Sequence, residues 1–267
     1  MKKAIIWMLI LCMLFSLCGC DPSTYGKQSP NTESSAANQT NAMDQDLDKV
    51  EGSGYASPEE AILAYAQALK QADVDEIIAT FAIETYVEHF DLTAYIENTG
   101  VYSYGISQPI PSADAYTAEL NRVARQYQIS KNLTNMYMSM GKVENFFTPI
   151  TFNGDPYGKP SELVDDLVIY NWMDMLSKLE IGQVLTVDDL ALDSEGLSKT
   201  LENQKKYLCC DELVPLAVEL TMDGEDYFLC VDLACYDGIW YNCNPMGMLG
   251  MLMDADVLSG GLVSLEE

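Results

Sequence analysis

The chain contains one histidine, which limits the nucleophilic chemistry that its residues could support. His89 lies in the run Tyr-Val-Glu-His-Phe, and no spacing links it to a serine or cysteine nucleophile. Acid–base catalysis by histidine needs a positioned partner as well as a suitable pKa. No Gly-x-Ser-x-Gly turn, His-x-x-Glu-His pair or phosphate-binding glycine loop occurs. We therefore predict no catalytic residue, and a surface or structural position for His89.

Five cysteines in the C-terminal part could form disulfides or bind a metal. They are Cys209, Cys210, Cys230, Cys235 and Cys243. An odd number leaves at least one thiol free, and no Cys-x-x-Cys pair or nearby histidine favours zinc. If Asp237-Gly238 is a two-residue turn, Asp232 pairs with Cys243 and no two cysteines lie opposite each other. Buried, reduced cysteines are one interpretation, and the disulfide pattern stays open.

Aromatic and thioether side chains are the other candidates for a ligand site. Trp172, Trp240 and Tyr241 could line a pocket for an apolar or sugar-like ligand, or belong to the core. Strand alternation places Trp240 and Tyr241 on opposite faces, so at most one of them faces such a pocket. Four methionines between positions 246 and 253 offer ligands for Cu(I), but interleaved leucines favour packing. We predict neither a metal nor a cofactor.

The first twenty residues, MKKAIIWMLILCMLFSLCGC, have the pattern of a secretory signal. Two lysines precede an apolar run that is short for a transmembrane helix, which needs about 20 residues. The final Leu-Cys-Gly-Cys resembles the bacterial lipobox, in which a leucine lies three positions before a lipid-modified cysteine. The resemblance implies cleavage after Gly19, so that residues 1–19 are removed. It also implies diacylglycerol on the Cys20 sulfur and an anchor on the outer face of the cell membrane.

The strongly acidic composition restricts the partners of the chain. Lysine and arginine number 14 against 41 aspartates and glutamates, for a formal net charge of −27. Nucleic-acid binding and attraction to anionic lipid both require basic residues, so we exclude nucleic acid and expect the lipid alone to anchor the chain. Residues 20–54 are polar and are predicted to form a lipidated, disordered tether. Residues 55–267 are predicted to form a single domain.

The order of the predicted elements indicates an α+β fold. Ser57-Pro58-Glu59-Glu60 has the residues of a capped helix start, and Asp73 begins a second helix. Further helical patterns cover 113–128, 131–146, 161–180 and 194–208. Three strand-like runs, 213–222, 227–236 and 239–243, are separated by Asp-Gly turns, which favour hairpins. We expect N-terminal helices packed on one face of a C-terminal antiparallel curved sheet, with a helix-rich middle insertion.

Two segments of the chain resemble a known fold. SPEEAILAYAQALKQADVDEIIATF looks like the start of the nuclear-transport-factor-2-like or cystatin-like cone fold. The later VPLAVELTMDGEDYFLCVDLACYDGIWYNC is similar to the terminal hairpins of that fold. Such domains recur in lipoproteins of unknown function from Gram-positive bacteria, and the resemblance implies a cavity between sheet and helices. The helix-rich middle, roughly 84–211, departs from a minimal cone.

Two hypotheses for the function remain open at this point. The first is a non-enzymatic, membrane-anchored binding or interaction domain for a small molecule or a cell-envelope protein. The second is a pocket enzyme that uses a buried carboxylate as acid or base. A buried carboxylate with a raised pKa in a closed pocket would favour the enzyme, whereas an exposed apolar patch would favour a protein partner.

Overall fold

The structure, a computed structural model, describes residues 49–99, 109–111, 114–140, 172–192, 194–256 and 259–265. These residues all belong to one compact unit that runs from Asp44 to Glu267. The predicted signal sequence, Cys20 and most of the predicted tether lie outside the described residues, as do the predicted helical stretches 141–146 and 161–171.

Helices dominate the first part of the described chain and strands the last part. The helices are α1 (Pro58–Gln71), α2 (Val74–Ala79), α3 (Glu84–His89), α4 (Leu92–Thr99), α5 (Ala115–Met140), α6 (Trp172–Ser177), α7 (Ser194–Leu208) and α8 (Gly247–Leu252). The strands are β1 (Glu180–Leu185), β2 (Glu212–Met222), β3 (Glu225–Tyr236), β4 (Ile239–Pro245) and β5 (Leu262–Ser264). This arrangement confirms the predicted α+β class.

The five strands form one antiparallel sheet in the order β1-β2-β3-β4. β4 pairs with the second half of β3, and β5 pairs with the first half of the same strand. Two Asp-Gly turns connect β2 to β3 and β3 to β4. Asp223, Gly224, Asp237 and Gly238 have φ values of 52°, 85°, 51° and 80°, as a two-residue turn with two left-handed positions requires. The predicted hairpins are therefore confirmed.

Ser57 and Asp73 begin their helices as predicted. The Ser57 hydroxyl accepts the backbone N–H of Glu60 at 3.2 Å, and the Asp73 carboxylate accepts that of Glu76 at 3.1 Å. The Glu60 carboxylate reaches back to the N–H of Ala56 at 3.2 Å. Because each side chain satisfies an N–H that the helix itself cannot pair, the sequence fixes where α1 and α2 begin.

Several predicted boundaries in the middle of the chain are wrong. α5 runs without a break across positions 129 and 130, where two separate helices were predicted. α6 ends at Ser177, short of the predicted helix end at 180, and β1 follows at Glu180–Leu185, where no strand was predicted. β1 has six residues of mixed exposure and β5 only three, so neither carries the clear alternation from which a strand is recognised.

A β-bulge in β4 corrects the predicted register of the last hairpin. Cys235 pairs with Trp240 as predicted, but Asp232 pairs with Asn244 and Leu233 with Asn242. Cys243 is the extra residue between them, and not the partner of Asp232. In a bulge, two consecutive residues of one strand face one residue of the other. Cys243 and Asn244 therefore both lie on the Asp232 side of the sheet.

Apolar side chains are buried on both faces of the sheet. The face that packs against α1, α2 and α5, here called the α1 face, carries the largest core cluster, which includes Ile62, Tyr65, Phe81, Leu229 and Leu233. The opposite face, here called the α7 face, carries two smaller clusters beneath α3, α7 and α8. The sheet is thus the middle layer between two sets of helices, and the prediction of helices on one face only is wrong.

The chain is fastened to the domain before α1 begins. The Glu84 carboxylate accepts the backbone N–H groups of Val50 and Glu51 at 2.9 and 3.0 Å. The buried Glu51 carboxylate accepts the N–H groups of Ile83 and Thr85 at 2.6 and 2.9 Å, and also the Thr85 hydroxyl. We call these two reciprocal carboxylates the Glu51–Glu84 clasp. The chain is therefore already packed on the domain at Val50, inside the stretch that was predicted as tether.

We predict that Glu51→Ala lowers the free energy of unfolding by about 1–3 kcal/mol, since it leaves buried N–H groups at the start of α3 without an acceptor. Urea unfolding followed by circular dichroism measures the difference. Glu202→Ala, at an exposed position of α7, is the matched control and should change stability by less than about 0.5 kcal/mol. Equal stability of the two variants would show that the clasp does not hold the N-terminal segment.

Candidate functional site

A buried carboxylate lies on the α7 face beside the bulge. Asp232 is 1% exposed, and its Oδ1 accepts the backbone N–H of Met248, at the start of α8, at 2.8 Å. The side chain of Asn244 donates a second hydrogen bond. Burial raises the pKa of Asp232 to about 6, and the two hydrogen bonds offset this only in part. The carboxylate therefore joins β3, β4 and α8.

A buried arginine of α5 also contacts the bulge. Arg125 of α5 donates from Nε to the Ala82 carbonyl at 3.1 Å and from an Nη to the Cys243 carbonyl at 2.6 Å. Its guanidinium carbon lies 4.4 Å from the centre of the Tyr86 ring, where a cation–π interaction is favourable. The guanidinium thus pairs with the carbonyl of the bulged residue and with a carbonyl of the segment between α2 and α3, which gives this buried cation a structural role.

The Asp232 carboxylate is not placed where it could act on a ligand as a general acid or base. The described partners of Asp232 are a backbone amide and an asparagine amide, and its side chain is closed off from solvent. Gly247 approaches it so closely that an added Cβ would lie 2.7 Å from Oδ1. The space beside the carboxylate is therefore filled by the protein's own backbone.

Two of the three aromatic residues predicted for a pocket, Trp240 and Tyr241, lie on opposite faces of the sheet. Trp240 is buried in the core of the α1 face, and its backbone exchanges two 2.9 Å hydrogen bonds with Tyr55. Tyr241 is buried on the opposite face, with its hydroxyl beside Thr85 and Glu51 of the clasp. Trp172 is the first residue of α6, and its side chain lies outside the described part of the chain. The alternation that separates Trp240 from Tyr241 is confirmed, and the pocket itself stays a prediction.

The described cysteines are reduced, and four of the five are buried. Burial raises the pKa of Cys230 to about 12, and burial also raises the pKa of Cys243 above its usual range. Because the thiolate is the reactive and metal-binding form, such thiols are inert. Among the residues that the structure describes, no three His, Cys, Asp or Glu side chains are grouped to hold a metal ion.

The His89 side chain links α3 to the turn between β3 and β4. One ring nitrogen lies 2.8 Å from the Thr85 carbonyl and the other 3.1 Å from the Asp237 carboxylate. Burial lowers the pKa of His89, but the Thr85 carbonyl and the Asp237 carboxylate raise it by more, so that the net shift is upward. The ring also packs 5.0 Å from that of Tyr236. These contacts give His89 a structural position.

The outer surface of α5 carries a row of exposed apolar side chains, here called the α5 stripe. It consists of Tyr116, Leu120, Val123 and Tyr127, which are 73%, 45%, 47% and 67% exposed. Spacings of four, three and four residues place these side chains on one side of the helix. The stripe extends over about 16 Å, at 1.5 Å for each residue. It is the kind of exposed apolar patch that marks an interaction surface.

The first half of α5 has its polar and apolar sides reversed. The side turned toward the domain carries buried Asn121 and Arg125, and the Asn121 amide exchanges hydrogen bonds of 3.0 and 2.8 Å with the backbone of Ile110. From Ile129 onward the buried side is apolar, as in an ordinary amphipathic helix. The sequence pattern alone would have assigned the stripe to the core, because a helix normally buries its apolar side.

The fold is thus of the α+β class, with helices on both faces of a five-stranded antiparallel sheet. No family model matches the chain, and no curated protein sequence matches it. Among solved structures, the chain is similar to a cystatin-like protein from Ruminococcus gnavus ATCC 29149. The two share 20% sequence identity with a TM-score of 0.38. The match covers 69% of this chain and 39% of that protein, so the chain spans well under half of it.

We predict that Asp232→Asn flattens the pH dependence of stability between about pH 4 and pH 6. The folded pKa of about 6 exceeds the unfolded value of 3.8, so the cost of the buried charge is present above pH 6 and lost below pH 4. Wild-type stability should therefore rise as the pH falls, by about 3 kcal/mol from this group. Urea unfolding at several pH values measures the difference between wild type and variant.

Asp188→Asn is the control, because Asp188 is exposed in the turn after β1. It should show the same pH profile as the wild type, which tests whether burial of the carboxylate is required for the effect. If Asp232→Asn and wild type gain stability equally on acidification, the buried carboxylate is not the group responsible.

Proposed function

We propose that this protein is a membrane-anchored, extracytoplasmic lipoprotein whose domain binds a protein partner through the α5 stripe and has no enzymatic activity. The observation that carries the binding function is the reversed polarity of α5, which buries Asn121 and Arg125 and exposes two tyrosines, a leucine and a valine. Exposed aromatic and aliphatic side chains in one row lose unfavourable contact with water when a partner covers them.

The anchor in this proposal rests on the sequence of the N-terminal region. The Leu-Cys-Gly-Cys end of the apolar run supports lipidation of Cys20, and the polar residues after it support a tether. Within the described residues, no helix is both long and apolar enough to cross a bilayer. The Glu51–Glu84 clasp supplies a fixed point at which a tether would meet the domain.

Fewer observations support the alternative function, a pocket enzyme. Asp232 has the raised pKa that such an enzyme needs, yet its oxygens bind the protein's own amides and its surroundings are packed. A catalytic acid or base must reach the proton that it transfers, within about 3 Å or through one water. We therefore assign Asp232 to the structure of the fold.

We predict that Cys20→Ala abolishes incorporation of labelled fatty acid and releases the protein from the membrane fraction. Cys18→Ala is the matched control, because it changes a neighbouring cysteine and leaves the predicted lipidation site intact. Metabolic labelling followed by fractionation distinguishes the two variants. Membrane retention of Cys20→Ala at the level of the control would contradict the proposed anchor.

We predict that a photo-crosslinking amino acid at position 123 captures a protein in intact cells, whereas the same group at position 74 does not. Val74 lies on α2 and is 50% exposed, so it matches Val123 in residue type and accessibility. Gel mobility and mass spectrometry of the adduct measure the result. Absence of an adduct at position 123, or equal yields at both positions, would contradict binding through the α5 stripe.

A further inference from the structure

We propose that the partner of the α5 stripe is a second copy of the same chain, with two α5 helices packed antiparallel about a two-fold axis. This inference deepens the proposed function, since it names the occupant of the surface on which that function rests. The α5 stripe is self-complementary in the way that such an axis requires.

The order of residues along the stripe is the same in both directions. From either end, a tyrosine is followed after four positions by an aliphatic residue. A second aliphatic residue comes three positions later, and the other tyrosine four positions after that. In a two-fold interface, residue i contacts residue j of the partner and j contacts i. An axis midway between Leu120 and Val123 therefore brings Leu120 to Val123 and Tyr116 to Tyr127 of the second copy.

The spacing of the stripe also fits helix-to-helix packing. Alternating steps of four and three residues are those of the apolar seam between two helices in a coiled coil. The aliphatic pair lies at the centre, where water is excluded, and the tyrosines lie at the ends, where their hydroxyls reach solvent. Tyr116 and Tyr127 of one copy lie about 16 Å apart along the helix, so a single pair of helices covers the whole stripe.

The charges of α5 permit this close approach although the protein as a whole is strongly acidic. Both arginines of the chain, Arg122 and Arg125, lie in α5. Beside the stripe, Arg122 donates two hydrogen bonds of 2.7 and 2.6 Å to the Glu119 carboxylate, which neutralises that acidic group within each copy. The two copies of Lys131 would lie about 28 Å apart, beyond the range of strong repulsion in physiological salt.

Like net charges of −27 on the two copies oppose association at long range. Ions in solution screen this repulsion, whereas they leave the apolar contact of the seam in place. We therefore expect the dimer to become more abundant as the ionic strength rises. A contact made mainly by oppositely charged groups would respond in the opposite direction.

Disulfide trapping in cell membranes tests the pairing and its direction. Two full-length chains with different epitope tags are co-expressed, one with Tyr116→Cys and the other with Tyr127→Cys, and a mild oxidant is added. Antiparallel pairing predicts a linked dimer that carries both tags. It predicts no dimer of Tyr116→Cys alone, because those two positions would be about 16 Å apart and a disulfide spans about 4–7 Å between Cα atoms.

Three controls accompany the trapping. Wild type reports any dimer formed through the native cysteines, and Val74→Cys reports collisions of an exposed site outside the stripe. Leu120→Lys, added to both tagged chains, should cause loss of the mixed dimer, because it places two charges at the centre of the seam. The thermal unfolding of Leu120→Lys, compared with that of Val74→Lys, shows whether either variant fails to fold.

The outcomes separate the self-association from the proposed function. A mixed dimer that Leu120→Lys removes supports the antiparallel pair. Linked dimers of Tyr116→Cys alone indicate parallel pairing and overturn the proposal. Absence of any linked dimer, together with a photo-crosslinked adduct at position 123 to a different protein, overturns self-association and leaves the proposed function standing. Absence of both the dimer and the adduct overturns the two together.

Discussion

A single extra residue in β4 determines how both faces of the sheet are held. Because Cys243 forms a bulge, Asn242 remains on the α1 face, where its side chain donates to the carbonyls of Ala61 and Thr80 at 2.8 and 3.2 Å. Asn244 is turned to the other face, where it meets Asp232. Because of the bulge, the Asn242 side chain binds α1 on one face. The Asn244 side chain binds Asp232 on the other face, and Asp232 in turn binds the start of α8. A regular strand would place Asn242 and Asn244 on the same face.

The same bulge explains why α5 is reversed in its first half. The backbone of an irregular strand leaves carbonyls without a ladder partner, and a buried carbonyl without a hydrogen bond is costly. Arg125 satisfies the Cys243 carbonyl of the bulge, so this part of α5 must turn a polar side toward the domain. The apolar residues between Tyr116 and Tyr127 are then left on the outer side. The exposed stripe and the buried arginine are two consequences of one packing requirement.

Local signals in the sequence were sufficient for the elements that depend on local chemistry. Ser57 and Asp73 cap helices through hydrogen bonds to residues three positions away, which do not depend on the rest of the fold. The Asp-Gly pairs at 223–224 and 237–238 suit left-handed turn positions better than other residues do. The bulge, β1 and β5 could not be predicted in the same way, because each depends on a partner strand that is distant or irregular. Of the candidate site, the separation of Trp240 from Tyr241 was predictable by alternation. The reversal of α5 was not, since it depends on the Cys243 carbonyl, which lies 118 residues later in the chain.

A lipid anchor would reduce the contact area that two copies need in order to pair. The α5 stripe is narrow, and the strong negative charge of each chain would oppose pairing of two unanchored copies in solution. Chains held on one membrane by a tether share a thin layer, in which the effective concentration of one copy near another is far higher than in bulk. An anchored chain therefore needs little contact area to pair, and each pair would hold two lipid anchors instead of one. Because dissociation from a bilayer becomes much less favourable with each added lipid group, pairing and anchoring would strengthen each other.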